Sequence, residues 1–278
     1  MTELRRWIVK RFFLALCCTL LLFTFNEVGK ASATSLPAKS TVLLKAGKFF
    51  ILYTKPAPPF VDENNRLLIP LRSFEDLFGG KVSYSASTKT AKLSWLDHEF
   101  QFVIGSKNAQ MDGQSVLMDT NPIIKNGAMF LPIRIFIDQA ELKSHWDNKE
   151  NVLVLDDERI LVGEPFENFE GNDLYSQNQD GAFKINNYAV TYKSNGTFQL
   201  TINASNITGE NIPKGKADIH PLVSYADGGF ATDSYSRPFY PEIQEIKENG
   251  NVSVFQNFPS KEVNYIITVA RLFSDQDQ

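Results

Sequence analysis

The sequence predicts an α+β protein, with two tandem copies of a helix-on-antiparallel-sheet unit followed by an all-β, sandwich-like domain. Three observations predict this class. A stretch of the first half recurs 62 residues later, each copy carries an apolar stripe of helical spacing after a proline, and the second half holds short β-rich runs. A repeat of this size indicates two copies of one supersecondary unit.

The repeat is ungapped over about thirty residues. The segment 66–74 is answered by 128–136, and the match extends to Tyr84 against Trp146 and Leu93 against Leu155. Copies of about 42–98 and 99–157 follow from this offset. Since a unit of about 60 residues buries little apolar surface by itself, we expect the two copies to form one domain, residues 42–157.

Each copy predicts a helix on a small sheet. Pro70 and Pro132 suit the first turn of a helix, where no amide hydrogen bond is lost. The apolar residues that follow recur at i, i+3, i+4 and i+7 in the second copy, which is typical of one buried helix face. Phe74 and Phe136 lie on these stripes, so both are predicted core residues. Two strands then end each copy, 81–84 and 91–95 in the first and 144–146 and 152–156 in the second.

The C-terminal half changes in composition. Residues 158–181 are polar and predict a linker. Residues 182–274 contain short β-rich runs with a hairpin-type turn at 226–229, which predicts a β-sandwich. This domain weakly resembles small immunoglobulin-like domains of bacterial envelope proteins.

The N-terminus predicts export. Basic residues precede an apolar run, Phe12–Phe25, and a small-x-small site ends at Ala33, which is the order of a secretory signal peptide over residues 1–33. An uncleaved N-terminal anchor and lipidation are the alternatives. Both cysteines, Cys17 and Cys18, lie in this segment, so the mature chain has no disulfide framework. We expect no membrane span in the mature chain.

The charge of the mature chain argues against one class of partner. Removing residues 1–33 leaves 23 basic and 30 acidic residues, a net charge of −7. No basic stripe remains to neutralise phosphates, so we expect no nucleic acid partner.

The repeated motif resembles a known family. The pattern runs Leu68-x-Pro70-Leu71-Arg72-x-Phe74, then Gly79-x-x-Val82-x-Tyr84, then Thr88-x-Thr90. It is similar to the copper amine oxidase N-terminal domain, or stalk domain, of exported proteins in Gram-positive bacteria. The resemblance covers about Val42–Asp157. It implies an appendage, since the copper and quinone site of such oxidases belongs to a separate catalytic domain that we do not expect here.

Four residues are candidates for a structural or binding role. Arg72 and Arg134 follow the two prolines, and the favoured role is to bridge carbonyls or a carboxylate, with ligand binding as the alternative. Tyr84 and Trp146 are matched aromatics, for which core or rim packing is favoured over a sugar-stacking platform. No catalytic, cofactor-binding or metal site is predicted, because the mature chain has no hydrolase motif and only three separated histidines, His98, His145 and His220.

The sequence therefore favours a non-enzymatic protein, secreted or associated with the cell wall, that binds wall polymer or another envelope protein. The alternatives are an envelope-polymer hydrolase with an unrecognised site, or an extracellular sensor or inhibitor.

Overall fold

Strands dominate the protein. The computed structural model describes Leu36 and residues 39–173, 178–233 and 241–273. Of these residues, 51% lie in strands and 10% in helices. The predicted α+β class, with tandem helix-on-sheet units and a separate sandwich, is therefore wrong. The predicted signal peptide lies outside the described residues.

The two proline motifs lead into helices of little more than one turn. Helix α1 covers Arg72–Asp76 and helix α2 covers Arg134–Gln139. Pro70 and Pro132 end the preceding strands, and each helix begins two residues later. Helices this short cannot cover a sheet, so the apolar stripe after each proline packs in a core that several sheets enclose.

A third helix follows the repeated segment. A single 3₁₀ turn, Glu158–Ile160, precedes helix α3, which covers Glu164–Asn172 and has a proline in its first turn. None of the helices in the described ranges has the length and apolar content that crossing a bilayer requires.

The strands are numbered in chain order. The first ten are β1 (Lys39–Ser40), β2 (Leu44–Ala46), β3 (Phe49–Thr54), β4 (Phe60–Val61), β5 (Leu67–Pro70), β6 (Lys81–Ser85), β7 (Thr90–Trp95), β8 (His98–Val103), β9 (Asn108–Met111) and β10 (Gln114–Leu117). The others are β11 (Ile123–Lys125), β12 (Ala128–Pro132), β13 (Ser144–Asp147), β14 (Val152–Leu155), β15 (Asn178–Asp180), β16 (Phe183–Tyr192), β17 (Thr197–Asn206), β18 (Ala217–Tyr225), β19 (Phe230–Thr232), β20 (Asn251–Pro259) and β21 (Val263–Phe273).

These strands form four sheets in the described part of the chain. The central sheet has the order β13-β14-β2-β3-β21-β18-β19, and β15 also pairs with β21. The others have the orders β1-β16-β17-β20, β10-β9-β8-β7-β6 and β11-β12-β5-β4. All the named strand pairs are antiparallel except β14 with β2.

The central sheet joins the two halves of the chain. Strand β3, from the first half, pairs with β21, from the second. Every residue of β3 is buried, because the sheet has a core on each face. Phe50 and Leu52 belong to the core shared with β16 and β17, whereas Phe49 and Ile51 belong to the core that contains α1 and α2. A strand covered on both faces shows a continuous apolar run. Residues 34–278 accordingly form one compact unit.

The segment 158–181, predicted as a linker, contributes side chains to the core that contains α1 and α2. Phe166 and Phe169 of α3 are buried, and their ring centroids lie 4.9 and 5.2 Å from that of Phe49. Gly163 passes so close to α1 that a Cβ there would lie 2.4 Å from the Leu77 carbonyl oxygen. Only glycine fits this approach without displacing the backbone.

The repeated segments meet across an antiparallel strand pair. Ile69 of β5 pairs with Leu131 of β12, which is its own counterpart at the 62-residue offset. The Phe74 and Phe136 rings, also counterparts, touch beneath this pair with centroids 4.1 Å apart. Both side chains are at most 1% exposed, which confirms their predicted burial. The register of β5 and β12 is therefore symmetric about the Ile69–Leu131 pair.

The two hairpins that end the copies share one register. Tyr84 pairs with Ala91 in β6–β7, and Trp146 pairs with Leu153 in β13–β14. Beyond the hairpins the copies differ, since β7 continues antiparallel into β8 whereas β14 lies parallel to β2.

Candidate functional site

The four candidate residues all lie at the surface. Arg72 and Arg134 are the first residues of α1 and α2, and both are exposed. Tyr84 and Trp146 lie on the hairpin strands β6 and β13, and each is 49% exposed. Both rings therefore lie outside the buried core, and the structure leaves the choice between rim packing and a sugar-stacking platform as a prediction.

Two of the four candidates line one groove of about 550 Å³. Arg72 lies on its α1 side and Tyr84 on its β6 side. The opposite sides are the turn after β3 and the turn between β11 and β12. The lining consists of Lys55, Pro56, Leu71, Arg72, Glu75, Val82, Ser83, Tyr84, Ile124, Asn126, Gly127, Ala128 and Met129. Arg134 and Trp146 are not among these lining residues.

Helix α1 is held firmly beside the groove. Asp76, its last residue, accepts a hydrogen bond from the Tyr265 hydroxyl of the central sheet. Burial, together with the negative charge of Asp76, raises the pKa of Tyr265 well above its usual range, so the hydroxyl remains a donor at neutral pH. This bond fixes the helix that carries Arg72 and Glu75.

The groove has cationic, polar and apolar parts. The Lys55 ammonium pairs with Glu262, outside the lining set. Arg72 has no ion-pair partner within the described ranges. Ser83, Glu75 and Asn126 supply hydrogen-bonding groups, while Tyr84 and Ile124 supply exposed apolar surface, 49% and 48% exposed.

Arg134 has an internal partner. Its Nε lies 3.7 Å from the Asp119 carboxylate, which also lies 3.0 Å from the Arg66 Nε. The Asp119 carboxylate thus lies within ion-pair distance of two arginines, Arg66 and Arg134. Arg72 does not share this carboxylate.

The three histidines lie on three different strands, β8, β13 and β18. His98 contacts Asp112 at 2.8 Å, His220 is buried and contacts Asp233 at 2.5 Å, and His145 is exposed on β13. Within the described ranges, no group of three or more His, Cys, Asp or Glu side chains is arranged to hold a metal ion.

Sequence reasoning missed several lining residues of the groove, namely Lys55, Glu75, Ile124 and Asn126. They come from two turns, strand β11 and helix α1, which are distant in sequence, so no local motif marks them. One signal was present: upstream of β4 and β11, where the strand register gives an offset of 63 residues, Pro56 stands where the second copy has Asp119.

A comparison with known protein families finds a match for part of the chain. Residues 51–155 match the family model of the copper amine oxidase N-terminal domain. No curated protein matches the chain. The matched stretch includes β5, β12, both short helices and every residue that lines the groove. The groove therefore lies within the part of the chain, residues 51–155, that is similar to the copper amine oxidase N-terminal domain.

Proposed function

We propose that the protein is a non-enzymatic, exported binding protein of the cell envelope that docks on cell-wall polymer through its copper amine oxidase N-terminal domain. One observation carries the proposal: the groove combines an exposed aromatic ring, Tyr84, with an arginine that has no carboxylate partner in the described part of the chain. Exposed residues of these two types are characteristic of binding surfaces.

The composition of the groove favours a polymer with both polar groups and flat apolar faces. A tyrosine ring offers an amphipathic surface of low conformational entropy. Donors and acceptors surround it at Ser83 and Asn126. Nucleic acid is disfavoured, since the mature chain carries a net charge of −7.

A sedimentation experiment tests the proposal. Purified residues 34–278 are mixed with isolated cell wall and centrifuged, and we expect the protein in the pellet. Tyr84→Ala is expected to reduce the pelleted fraction. Tyr192→Ala is the matched control, because Tyr192 is an equally exposed tyrosine outside the groove, also at 49%.

Two results would contradict this function. If the wild-type protein stays in the supernatant, it does not dock on wall polymer. If soluble fragments of the polymer accumulate with time, the protein is a hydrolase.

The family name invites a copper site, and we propose that the mature protein binds no copper. Calorimetric titration of residues 34–278 with copper is expected to show no stoichiometric site of micromolar affinity or better. A site lost on replacing His98 or His145 would overturn this.

A further inference from the structure

We propose that the groove recognises a sugar that carries a carboxylate, with Arg72 pairing with the carboxylate and Tyr84 lying against the sugar ring. The inference rests on the proposed function, because it names the ligand class of the same groove. Its evidence is a comparison between the two copies of the repeat.

The strand register shows which residues correspond. Leu68 and Phe130 are counterparts, and they pair with Phe60 and Ile123, respectively. Upstream of this point, counterparts are therefore 63 residues apart, because the second copy has one residue fewer in its turn. Counting back four residues from Phe60 and Ile123 makes Pro56 the counterpart of Asp119.

The second copy shows which side chains surround the position that Pro56 occupies in the first copy. There the Asp119 carboxylate lies between Arg134 and Arg66. In the first copy Arg72 is retained, but the carboxylate position is taken by Pro56 and the second arginine by Ala128. Both Pro56 and Ala128 line the groove. The first copy thus has no carboxylate at the position of Asp119. Arg72 lines the groove without a salt-bridge partner in the described part of the chain, and Glu75 is the one carboxylate among the lining residues.

The remaining lining residues favour a sugar over a simple anion. Tyr84 and Ile124 provide exposed apolar surface, whereas a free carboxylate needs only donors. The Glu75 carboxylate and the Asn126 amide are suited to the hydroxyl groups of a sugar. A planar guanidinium binds a carboxylate through two parallel hydrogen bonds, which gives direction as well as charge.

The test uses a fluorescent tetragalacturonic acid and its fully methyl-esterified form, in which each carboxylate is replaced by an uncharged methyl ester. Fluorescence anisotropy is measured with the wild-type protein of residues 34–278, with Arg72→Ala and with Arg134→Ala. We expect the acid to bind, the ester to bind at least about tenfold more weakly, and Arg72→Ala to weaken binding of the acid by at least about tenfold. Arg134→Ala is expected to stay within about twofold of wild type. Thermal unfolding of each variant checks that it folds.

Several results would overturn the inference. These are no binding of the acid, equal binding of acid and ester, equal losses in the two arginine variants, or equally tight binding of a hexaglutamate peptide.

The outcome of this test can be distinguished from the outcome of the test of the proposed function. If the wall pellets wild-type protein and Arg72→Ala alike, the ligand class is wrong and wall docking stands. If the acid binds through Arg72 but the wall does not pellet the protein, wall docking is wrong and the ligand class stands.

Discussion

Phe74 and Phe136 lie at the centre of the contact between the two copies. Their centroids are 4.1 Å apart, and Trp95 packs edge-on against both, at 4.9 and 5.7 Å. The Trp95 indole N–H donates to the Phe78 carbonyl at 2.6 Å, so the ring is fixed in place. Three aromatic rings therefore support one another where the two repeated segments meet.

Replacing either phenylalanine with alanine removes this support. We expect Phe74→Ala and Phe136→Ala each to lower the free energy of unfolding by about 3–5 kcal/mol, measured by urea denaturation. Phe255→Ala is the matched control, since Phe255 is 64% exposed. A loss no larger than that of the control would show that these rings do not anchor the core.

The lowered pKa of the Asp157 carboxyl predicts that the free energy of unfolding decreases at acidic pH. The side-chain hydrogen bonds from Arg159, the largest cause, lower the pKa of this carboxyl from 3.8 to about 2. Because the folded-state value is the lower one, the stabilisation is complete above about pH 4 and is lost as the pH falls towards 2. We expect Asp157→Asn to melt below wild type at about pH 6, with the gap shrinking by about pH 2.5. A gap independent of pH would contradict this assignment.

At the residue level, sequence reasoning succeeded where periodicity decides burial, as at Phe74 and Phe136. It treated Arg72 and Arg134 alike, because they occupy matched positions. Their environments differ through Asp119, which lies on a connection between strands that the repeat aligns only after a one-residue shift.

At the level of elements, a buried ion pair stabilises the parallel pairing of β2 and β14. The Lys45 ammonium on β2 donates to both oxygens of Glu150, in the turn before β14, at 2.8 Å. The side chains are 9% and 3% exposed. Burial raises the pKa of Glu150, although the hydrogen bond and charge of Lys45 oppose the rise. The Glu150 carboxyl therefore depends on Lys45 to remain ionised in this buried position.

Removing that partner is therefore expected to be costly. Lys45→Met should lower the free energy of unfolding by about 3–5 kcal/mol, and the double variant Lys45→Met with Glu150→Leu should recover most of it. Lys261→Met is the matched control, since the Lys261–Asp227 pair is exposed and should be worth at most about 1 kcal/mol. If Lys45→Met and Lys261→Met lower the free energy of unfolding equally, the Lys45–Glu150 pair is not buried in solution.

The helices show why the class prediction failed. An apolar stripe over eight residues predicted two helical turns, but α1 ends at Asp76, and Leu77 and Phe78 fill the core from outside it. The Gly80 N–H donates to the Phe74 carbonyl at 2.6 Å, which closes the turn and leads into β6. The spacing of apolar residues indicates which side chains are buried. It does not indicate whether these residues lie in a helix or in a tight turn.

At the level of the whole molecule, the shared central sheet predicts cooperative unfolding. Strands β3 and β21 pair, so neither half has a complete sheet without the other. We expect residues 34–278 to unfold in a single calorimetric transition, with equal calorimetric and van't Hoff enthalpies. Fragments 34–157 and 182–278 should each lack a cooperative transition. Two resolved transitions in the full chain would contradict this coupling.

This pairing could not be read from the sequence. The continuous apolar run of β3 indicates a strand covered on both faces, but it does not identify the neighbours. Strand pairing over so long a separation is set by the packing of the whole chain, and a single sequence offers no local signal for it.

The place of β21 also sets the order of events when the chain is made. Among the described strands it is synthesised last, and it inserts between β3, made roughly 200 residues earlier, and β18. Until it emerges, the edges of β3 and β18 that it will join have no partner, so the central sheet remains incomplete over most of the synthesis of the chain. Any shortened product that stops before Val263 lacks the middle of the sheet and presents the exposed strand edges that proteases and chaperones recognise. The central sheet can therefore form completely only after Val263–Phe273 has been synthesised.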